Sequence, residues 1–506
     1  MPPPDGDRAC ACRVFNRRYF CPSSDCAERS PVAPRTVTDC RLRAPAAAAR
    51  GAQTGVQKAT QKFTTESHPM IDRRQALNTI AALGTAIALS HTGSARAATE
   101  LMPRSGRRVV IAGGGWGGIA AARTLRELAP ELEVVVLERN PVFFSCPMSN
   151  KWLVDVVGTD FLMHDQLGPA QRAGYRFVNA EITGIDREKK RVHVTDGFFG
   201  YDWLILAPGI HHAYEAWFGN DRAAINHTRI RFPSAYIPNA EHLSLKQKIR
   251  NFTGGDLVMT LPPPPHRCPP SPYERACLIA WHMKKNKIPG RITILDPKDG
   301  IRPIGEGFKR AFEELYRDQI TYVPNARISE MDPFKQRVRT SAGEFKFDDA
   351  ILMAPHQAGH LCRSAGLVKM TAEGKPVNGW ADVDEVFLHA RGDTSVFVIG
   401  DAVGPVSLLF GHYPKAGHVA IWHGRMAAHH ISALAQGKEM QPMLPDNLCF
   451  MLVNGDPLEA IMVDFKYKFT QDLIEQKQID VNERNPELFV RDMNWAKDSY
   501  RKLFGT

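Results

Sequence analysis

A cysteine set among prolines is the first feature of the sequence that could carry chemistry. Residues 257–281 read LVMTLPPPPHRCPPSPYERACLIAW, a strand pattern and a helix pattern joined by a segment that holds seven prolines and Cys268. In a nucleotide-binding βαβ unit this connection offers glycines and backbone N–H groups to a pyrophosphate. Proline has no N–H and fills the space a glycine leaves open. We therefore expect no nicotinamide dinucleotide here, and we interpret the prolines as a rigid frame for one thiol.

A glycine motif near residue 113 predicts a nucleotide site. Gly113, Gly115 and Gly118 follow the apolar strand pattern 109–112 and open a helix pattern. The first glycine permits the turn, the second lets the backbone approach a pyrophosphate, and the third lets the helix pack on the strand. Glu138 ends the next strand pattern 20 residues after Gly118, where a carboxylate accepts a ribose hydroxyl. These residues are compatible with either NAD or FAD.

Two later motifs favour FAD. Gly400 and Asp401 follow the strand pattern VFVI and resemble the second flavin motif of the glutathione-reductase-like flavoproteins, whose aspartate binds the ribityl chain. Pro208 and Gly209, at the end of another strand pattern, resemble the short connecting motif of the same proteins. The resemblance covers residues from about 107 to 431 and implies FAD as the cofactor.

The order of the elements predicts the fold class. Strand and helix patterns alternate from Arg107 onward, which is typical of α/β architecture. We expect two Rossmann-like domains of the FAD/NAD(P)-binding type and a C-terminal α+β cap domain. The predicted segments are 105–212 and 341–436 for the two parts of the FAD-binding domain, 213–340 for the second Rossmann-like domain with the redox cysteine, and 437–506 for the C-terminal domain.

The proline-framed motif resembles one family in particular. HRCPPSPYERA at residues 266–276 is similar to C-P-P-G-P-Y-E-R-A of the flavoprotein subunit of flavocytochrome c sulfide dehydrogenase, a periplasmic relative of the sulfide:quinone reductases. The resemblance implies that Cys268 forms a redox disulfide on one face of the flavin. Its partner in the family lies in a segment like N-T-C-Y-S, which here matches 447–450 and points to Cys449. The family motif has glycine where Ser271 stands and tyrosine where Phe450 stands.

Another segment of the same resemblance implies a covalent flavin. VFFSCPMSN at residues 142–150 is similar to Tyr-Tyr-Thr-Cys-Tyr-Leu-Ser-Asn, whose cysteine is linked to the flavin 8α carbon. Cys146 is the matching residue, followed by Ser149 and Asn150. Pro147 departs from the family pattern, so FAD held without a covalent bond is the alternative.

Four further positions match the family across residues 105–506. Lys415 and Gly417 lie where the family places a lysine and a helix N-terminus at the pyrimidine edge of the flavin, and positive charge there stabilises anionic reduced flavin. Trp495 matches a tryptophan near the flavin. Glu274 matches a proposed acid/base group, but Ser271 to Glu274 also fits a helix capping box with proline at the first helical position.

The remaining cysteines and histidines have simpler interpretations. The place of Cys268 at a helix entrance predicts a lowered thiol pKa, although a free cysteine is commonly buried and inert. We interpret Cys277 and Cys362 as structural. The histidines of the later helix pattern do not repeat the i, i+4 spacing of a helical metal site, so we predict no metal centre at His412, His418, His423, His429 and His430.

The N-terminal region predicts export. Residues 1–97 carry 14 of the 64 Lys and Arg but only 7 of the 54 Asp and Glu, so most of the positive charge lies there and we expect no nucleic-acid partner. Residues 1–69 are predicted to be disordered or to lie upstream of a start at Met70. Residues 70–97 hold Arg73, Arg74, a short apolar run and an Ala-x-Ala step, the pattern of a twin-arginine signal peptide. The mature chain is therefore expected in the periplasm, without a firm membrane anchor.

Together these features predict an FAD-dependent oxidoreductase that acts on sulfide or a related sulfur nucleophile. The resemblance implies attack of sulfide on a Cys268–Cys449 disulfide. The chain has no C-x-x-C-H haem motif, so the expected acceptor is a separate c-type cytochrome subunit. Two rivals stay open: a sulfide:quinone reductase, which needs a membrane-resting surface, and a non-enzymatic FAD redox scaffold, which does not need both thiols.

Overall fold

The computed structural model describes residues 99–471 and 473–505, so the predicted segment 1–69 and the signal peptide at 70–97 lie outside the described residues. The helices are α1 Trp116–Leu128, α2 Ser149–Leu153, α3 Leu167–Ala173, α4 Glu215–Phe218, α5 Arg222–Arg231, α6 Ala240–Asn251, α7 Ser271–Lys285, α8 Gly305–Leu315, α9 His360–Ser364, α10 Gly417–Ala435 and α11 Pro486–Phe504, with short 3₁₀ helices at Thr159–Phe161 and Gly400–Ala402.

The strands are numbered in chain order. The first part of the chain forms β1 Arg108–Ala112, β2 Glu133–Glu138, β3 Val142–Phe144, β4 Met163–Asp165, β5 Arg176–Asn179, β6 Ile182–Asp186, β7 Arg191–Val194, β8 Gly197–Gly200, β9 Trp203–Leu206, β10 Ile210–His212, β11 Gly255–Thr260, β12 Gly290–Leu295 and β13 Ile320–Val323. The rest forms β14 Ile328–Asp332, β15 Arg337–Thr340, β16 Gly343–Lys346, β17 Asp349–Leu352, β18 His356–Ala358, β19 Val368–Met370, β20 Pro376–Ala381, β21 His389–Ala390, β22 Asp393–Val398, β23 Asn447–Gly455, β24 Leu458–Phe469 and β25 Ile474–Asn485.

The first nucleotide-type sheet has six strands in the order β21-β22-β9-β1-β2-β5. Its strands pair in parallel except for the edge strand β21. The central strand β1 is apolar and fully buried at Val109, Val110 and Ile111, as expected for a parallel strand covered by helices on both faces. Strand β22 comes from a late part of the chain, so this sheet is built from two chain segments. The strands of the second sheet lie between these two segments in the sequence.

Helices α1 and α10 cross at two glycines. A Cβ atom added to Gly424 would lie 2.2 Å from the carbonyl oxygen of Gly117, so no side chain fits between the two backbones. Beyond the crossing, the apolar residues Ala121, Leu125 and Ile431 are buried in one cluster. This close approach places the N-terminus of α10 beside the glycine turn that begins α1.

The second parallel sheet has the order β13-β12-β11-β17. Strand β11 leads into the proline-rich connection and then into α7, as the sequence pattern predicts. Strand β17 pairs in parallel with β11 although it lies beyond residue 340, the predicted end of the second domain. The second sheet therefore extends past that boundary, because the extra strand reaches β11 only after the β14-β15-β16 hairpins.

The C-terminal region is an antiparallel sheet, β23-β24-β25, followed by α11. Residues Leu452 and Val453 of β23 are fully buried, and Tyr316 from the end of α8 donates a hydrogen bond to the Val453 carbonyl oxygen at 2.9 Å. The predicted fold class, α/β with Rossmann-like sheets, is confirmed. Within the described residues, we find no helix with the length and apolar character needed to cross a bilayer.

Candidate functional site

One cavity of about 800 Å³, its open mouth included, lies where α2, α7, α10, α11 and β23 meet. Nine of the residues predicted from the sequence line it: Cys146, Ser149, Asn150, Cys268, Glu274, Lys415, Gly417, Cys449 and Trp495. The other eight lie outside its lining, at the glycine turn and the neighbouring strand ends: Gly113, Gly115, Gly118, Glu138, Pro208, Gly209, Gly400 and Asp401. The predicted site residues thus form two groups, one with thiols and one with nucleotide-binding features.

The Cys268 backbone is held in an unusual conformation. Its φ is +46°, in the left-handed region that side chains other than glycine rarely adopt. The Cys268 N–H donates a 2.8 Å hydrogen bond to the carbonyl oxygen of Lys415, which ties the proline frame to the residues before α10. Such strained residues are concentrated at functional sites, so the geometry agrees with a functional thiol.

The three cavity cysteines are free thiols. Burial raises the pKa of Cys268, and the neighbouring charges of Cys449 and Glu274 raise it further. The expectation of a lowered thiol pKa at Cys268 is therefore wrong, because desolvation of a buried thiolate outweighs the helix entrance. Burial also raises the pKa of Cys449 to about 12 and the pKa of Cys146, which Arg267 lowers in part.

Glu274 does not form the predicted capping box. Helix α7 has no side-chain cap, and the Glu274 carboxylate instead points into the cavity wall. Its Oε1 accepts hydrogen bonds from Lys151 Nζ at 2.7 Å and from the Leu452 N–H at 2.9 Å, while its Oε2 accepts one from Asn150 Nδ2 at 2.8 Å. Because these three donors already satisfy the Glu274 carboxylate, it does not turn back to cap the N-terminus of its own helix.

Lys151 and Asp492 complete this cluster, and the sequence analysis missed both. Lys151 Nζ lies 2.9 Å from Asp492 Oδ2, and both side chains are almost fully buried. Burial lowers the pKa of Lys151, but Asp492 and Glu274 outweigh this and raise it. Burial raises the pKa of Asp492 to about 6, against the lowering effect of Lys151. The only signal in the sequence was a lysine inside the apolar-flanked helix SNKWL.

The glycine turn fits the phosphates of a dinucleotide. A Cβ added to Gly118 would lie 1.9 Å from the Gly113 carbonyl oxygen, and one added to Gly113 would lie 2.4 Å from the Ala207 oxygen. Nothing lies within 4 Å of a Cβ added to Gly115, so that backbone is open to a ligand. The Glu138 carboxylate accepts the Gly114 N–H at 2.8 Å, which places it at the turn as a ribose acceptor requires.

Asp401 lies in a network of charges that the sequence did not reveal. Its Oδ2 pairs with Arg267 Nε at 2.8 Å, and both side chains are largely buried. Lys415 Nζ donates to the carbonyl oxygens of Asp401 and Val403, each at 2.8 Å, and lies 3.7 Å from the Trp380 ring centroid. Burial lowers the pKa of Lys415 to about 7, because desolvation of the buried ammonium outweighs the attraction of Asp401.

An aromatic stack joins the cavity to the glycine turn. Trp495 stacks on Trp116 at 5.8 Å between ring centroids and on His418 at 5.8 Å. Trp116, which follows Gly115, has a buried indole N–H that no acceptor meets among the described residues. An orphaned donor beside a glycine turn suits a ligand oxygen, so this position also fits a bound dinucleotide.

The other predicted residues have structural contacts. Asn150 donates to Ser271 Oγ at 3.0 Å and accepts from Arg275 Nε at 2.9 Å, which fastens α2 to α7. Ser149 is buried at the start of α2. Gly209 has a φ of +66° and its carbonyl oxygen accepts the Gly359 N–H at 2.9 Å, which leaves Pro208 directly against Gly359. Gly400 donates its N–H to His423 Nδ1 at 3.2 Å.

The histidines of the later helix take individual partners. His430 lies between the carbonyl oxygens of Phe387 and Gln441, each at 3.1 Å. Burial lowers the pKa of His423 to about 3. In the described part of the chain, no cluster of three or more His, Cys, Asp or Glu side chains is arranged to hold a metal ion.

The comparisons with known proteins first define the class. Residues 107–248, which hold the glycine turn and β9, match the family model of the pyridine nucleotide-disulphide oxidoreductases. The fold is similar to that of the sulfide:quinone oxidoreductase of the hyperthermophilic bacterium Aquifex aeolicus, with a TM-score of 0.61, 18% identity, and coverage of 79% of this chain and 92% of that chain. The chain thus has a Rossmann-like fold of the FAD/NAD-binding type, built on two sheets.

The particular family follows from the segment around Cys268. Residues 243–355 match the family model of the central region of the flavoprotein chain of sulfide dehydrogenase (flavocytochrome c). The resemblance predicted from HRCPPSPYERA is confirmed.

Two further proteins share part of the sequence or the fold. The sulfide-quinone reductase of Aquifex aeolicus (strain VF5) is 25% identical over 240 residues, which cover 45% of this chain and 53% of that protein. This chain thus spans about half the length of that curated relative. The NAD-dependent persulfide reductase of A. fulgidus shares the fold with a TM-score of 0.52 and 18% identity, over 72% of this chain and 65% of that chain.

Proposed function

We propose that this chain oxidises sulfide, or a related small sulfur nucleophile, through a Cys268–Cys449 disulfide, and that it passes the electrons by way of FAD to a separate c-type cytochrome. The observation that carries the proposal is that Cys268 and Cys449 line one cavity beside the N-terminus of α10. The two cysteines are 181 residues apart in the chain. In this proposal, the two free thiols are the reduced state of that disulfide.

The proposed reaction balances as sulfur exchange followed by thiol oxidation. Hydrogen sulfide loses a proton, and the resulting hydrosulfide attacks one sulfur of the Cys268–Cys449 disulfide, so that an S–S bond forms to the substrate, the S–S bond between the cysteines breaks, and the second cysteine leaves as a thiolate. A second hydrosulfide attacks the outer sulfur of the persulfide and releases it as a disulfane. The two cysteine thiolates then re-form their S–S bond and give up two electrons.

Burial determines the protonation state of these two thiols. Because burial raises the pKa values of Cys268 and Cys449, the two cysteines are neutral thiols near neutral pH when they are reduced, and each must lose its proton to form a bond to sulfur. The raised pKa favours a disulfide or a persulfide over two buried thiolate charges.

Different residues of the chain would hold the two ends of FAD. Gly113, Gly115 and Glu138 would hold the nucleotide end, and Asp401 would reach the ribityl chain, where it shares its carboxylate with Arg267. Cys146 would form the covalent link. When bound, FAD supplies a two-electron acceptor that can release its electrons one at a time. Lys415 and the uncapped N-terminus of α10 would place positive charge at one edge of the ring system.

Flavin bleaching followed by stopped-flow absorbance tests the proposal. We expect sulfide to bleach the flavin of the wild-type protein rapidly, and NADH to bleach it at no comparable rate, because prolines replace the phosphate turn at 262–272. Cys268→Ser and Cys449→Ser should abolish bleaching by sulfide. Cys277→Ala, in the helix adjacent to the same cavity but fully buried, should leave it intact.

Each contrary outcome of that experiment is informative. Absence of bleaching by sulfide in wild-type protein with intact cofactor would support a redox scaffold rather than an enzyme. Rapid bleaching by NADH would contradict the interpretation of the prolines. Mass spectrometry of the mature protein under non-reducing conditions then reports the Cys268–Cys449 crosslink, a flavin adduct on Cys146 and cleavage of the signal peptide together.

A sulfide:quinone reductase is the second candidate, and one observation favours it. The loop before α10 exposes Leu408 to 93% and Leu409 to 60%, and its Phe410 ring lies 5.7 Å from that of Tyr467. Exposed apolar side chains at a loop tip are typical of proteins that rest on a lipid surface. Sedimentation of the mature protein with lipid vesicles, together with turnover of a quinone, would favour this candidate. A soluble protein that reduces cytochrome c favours the first.

We also propose that the mature protein works in the periplasm. The support is the twin-arginine pattern at residues 70–97, which lies outside the described residues. A covalent flavin link suits an exported enzyme, since cofactor lost outside the cytoplasm would not be replaced.

A further inference from the structure

The carboxylate of Asp492 has an arrangement that the disulfide chemistry does not use. It is 4% exposed on α11 and lines the same cavity as the two cysteines. Among the described residues, Lys151 is the one side chain that forms an ion pair with this carboxylate. A buried carboxylate with a single partner is costly to keep ionised, so its position calls for a function.

Lys151 connects this carboxylate to the cysteine site. Its ammonium group bridges Asp492 Oδ2 at 2.9 Å and Glu274 Oε1 at 2.7 Å. Glu274 in turn accepts the N–H of Leu452 at 2.9 Å, three residues after Cys449 on the same strand. Two carboxylates therefore share one ammonium. Because the two negative charges exceed the one positive charge, the cluster can bind one additional proton.

Four titratable groups face Asp492 from the elements packed around it. Lys151 faces it from α2, Glu274 from α7 and Cys449 from β23, and Tyr500 lies two turns further along α11. Lys151 stabilises the ionised carboxylate, whereas Glu274 and a Cys449 thiolate disfavour it. Burial and these groups together set the pKa of Asp492 at about 6, which is suited to proton exchange near neutral pH.

We propose that Asp492, acting through Lys151, holds the proton that hydrogen sulfide loses when its sulfur attacks the cysteine disulfide; the inference rests on the proposed function. The S–H bond breaks as the new S–S bond forms, and Glu274 accepts the proton. Lys151 gives one of its protons to Asp492 and takes up the proton from Glu274 in its place. Glu274 and Lys151 are thereby restored, and the proton later leaves through the cavity mouth. Asp492 is a positioning residue for the proton, since it does not touch the substrate.

Alkylation of Cys449 tests the electrostatic coupling without sulfide. The flavin-loaded protein is reduced, the reductant is removed, and the rate of alkylation by iodoacetamide is followed by peptide mass spectrometry from pH 5 to pH 9. In the wild type, the plot of log rate against pH should bend near pH 6, because protonation of Asp492 removes a negative charge near the thiol. Asp492→Asn should lose the bend and react about three- to tenfold faster at pH 7.

Stopped-flow reduction by sulfide tests the proton route itself. For the wild type, the rate should fall as pH decreases through 6, because a protonated Asp492 cannot accept a proton. Asp492→Asn should lose this dependence and be about ten- to a hundredfold slower at pH 7. Asp492→Glu should restore the pH profile, and Asp498→Asn, on the exposed face of α11, should behave as the wild type.

The outcomes separate this inference from the proposed function. If sulfide bleaches the wild-type flavin and Asp492→Asn keeps both pH profiles, the inference is wrong and the proposed function stands. If sulfide does not bleach the wild-type flavin, the proposed function is wrong and the proton route is wrong with it. Loss of both profiles in Asp492→Asn, with recovery in Asp492→Glu, supports the inference.

Discussion

At the scale of single residues, the backbone of Cys268 carries a testable cost. Its φ of +46° costs a residue with a Cβ atom about 1 kcal/mol relative to glycine. We therefore expect Cys268→Gly to be more stable than Cys268→Ala by about 1 kcal/mol in urea-induced unfolding, because glycine removes the steric conflict.

Cys277 provides a matched control for this comparison. It is fully buried in the middle of α7, where glycine weakens a helix by about 1 kcal/mol relative to alanine. At this position the order should reverse, with Cys277→Ala more stable than Cys277→Gly. The strain at Cys268 would be disproved if alanine were at least as stable as glycine at both positions.

Residue types alone revealed the thiols but not their surroundings. The sequence motifs indicate Cys268 and Cys449, because a proline frame and a family resemblance mark them. Lys151 and Asp492 carry no such marks, since a single charge in a helix pattern is usually a solvated residue. Glu274 was assigned a local role by spacing, but tertiary donors at hydrogen-bond distance outweighed the helix cap.

At the scale of elements, the cluster around Lys151 fastens three helices. Its ammonium joins α2 to Glu274 of α7 and to Asp492 of α11. Replacement by methionine keeps the length of the side chain but leaves two buried carboxylates without their cation. We expect Lys151→Met to lower the free energy of unfolding by about 3–5 kcal/mol, measured by urea denaturation.

The control for this variant is Lys189→Met in the turn between β6 and β7. Lys189 is 67% exposed and lies 3.6 Å from Asp186, so its ion pair is solvated and contributes less than about 1 kcal/mol. Equal losses of stability in the two variants would contradict the structural importance of the buried cluster.

Glu241 of α6 predicts a pH dependence of stability. Its carboxylate accepts hydrogen bonds from Ser234 Oγ and the Tyr236 N–H, each at 3.2 Å, and lies 3.4 Å from His212 Nε2. Burial raises the pKa of Glu241, but His212 and the backbone of Ile237 outweigh it and lower the pKa to about 2. Because this pKa lies below the ordinary value of 4.5, the group stabilises the fold above about pH 4.5 and loses this effect as pH falls towards 2.

The variant Glu241→Gln isolates that contribution. The difference in free energy of unfolding between wild type and Glu241→Gln should be constant from pH 5 to pH 7 and decrease by up to about 3 kcal/mol below pH 4.5. Glu188→Gln, at an exposed position, should show no such change. If the difference in free energy of unfolding did not change with pH, the contacts of the folded protein would not stabilise the ionised form of Glu241.

Sheet membership was only partly predictable at this scale. The strand, glycine turn and helix around Gly113 have local signals, so their arrangement followed from the sequence. The pairing of β17 with β11 did not, because both sides of the boundary at residue 340 are strand patterns and register between distant strands has no local signal. The crossing of α1 and α10 depends on Gly117 and Gly424, which look like ordinary helix positions in the sequence.

At the scale of the whole molecule, the site is complete only when the chain is folded. The nucleotide-binding turn begins at Gly113, the thiols come from 268 and 449, and Trp495 lies near the C-terminus. Pattern analysis alone could not bring these segments together, because nothing in their spacing specifies the contact. The family resemblance supplied that information, and in the structure Cys268, Cys449 and Trp495 line the same cavity.

The same dependence on folding leads to a prediction about export. The proposed FAD site is complete only after segments more than 300 residues apart have met, and the proposed twin-arginine route carries folded proteins, so we expect the cofactor to be inserted before export. Replacing Arg73 and Arg74 by lysine should hold a folded, flavin-loaded protein in the cytoplasm, which cell fractionation and flavin absorbance would detect.

A folding-defective variant with intact arginines distinguishes this route from export of unfolded chains. In Gly118→Ala the added Cβ would lie 1.9 Å from the Gly113 carbonyl oxygen, so the nucleotide turn cannot close, and we expect this protein also to stay in the cytoplasm. Arg139→Lys, at an exposed side chain, should be exported normally. Appearance of the Gly118→Ala chain in the periplasm would show that export precedes folding, and the link between cofactor insertion and the twin-arginine signal would be wrong.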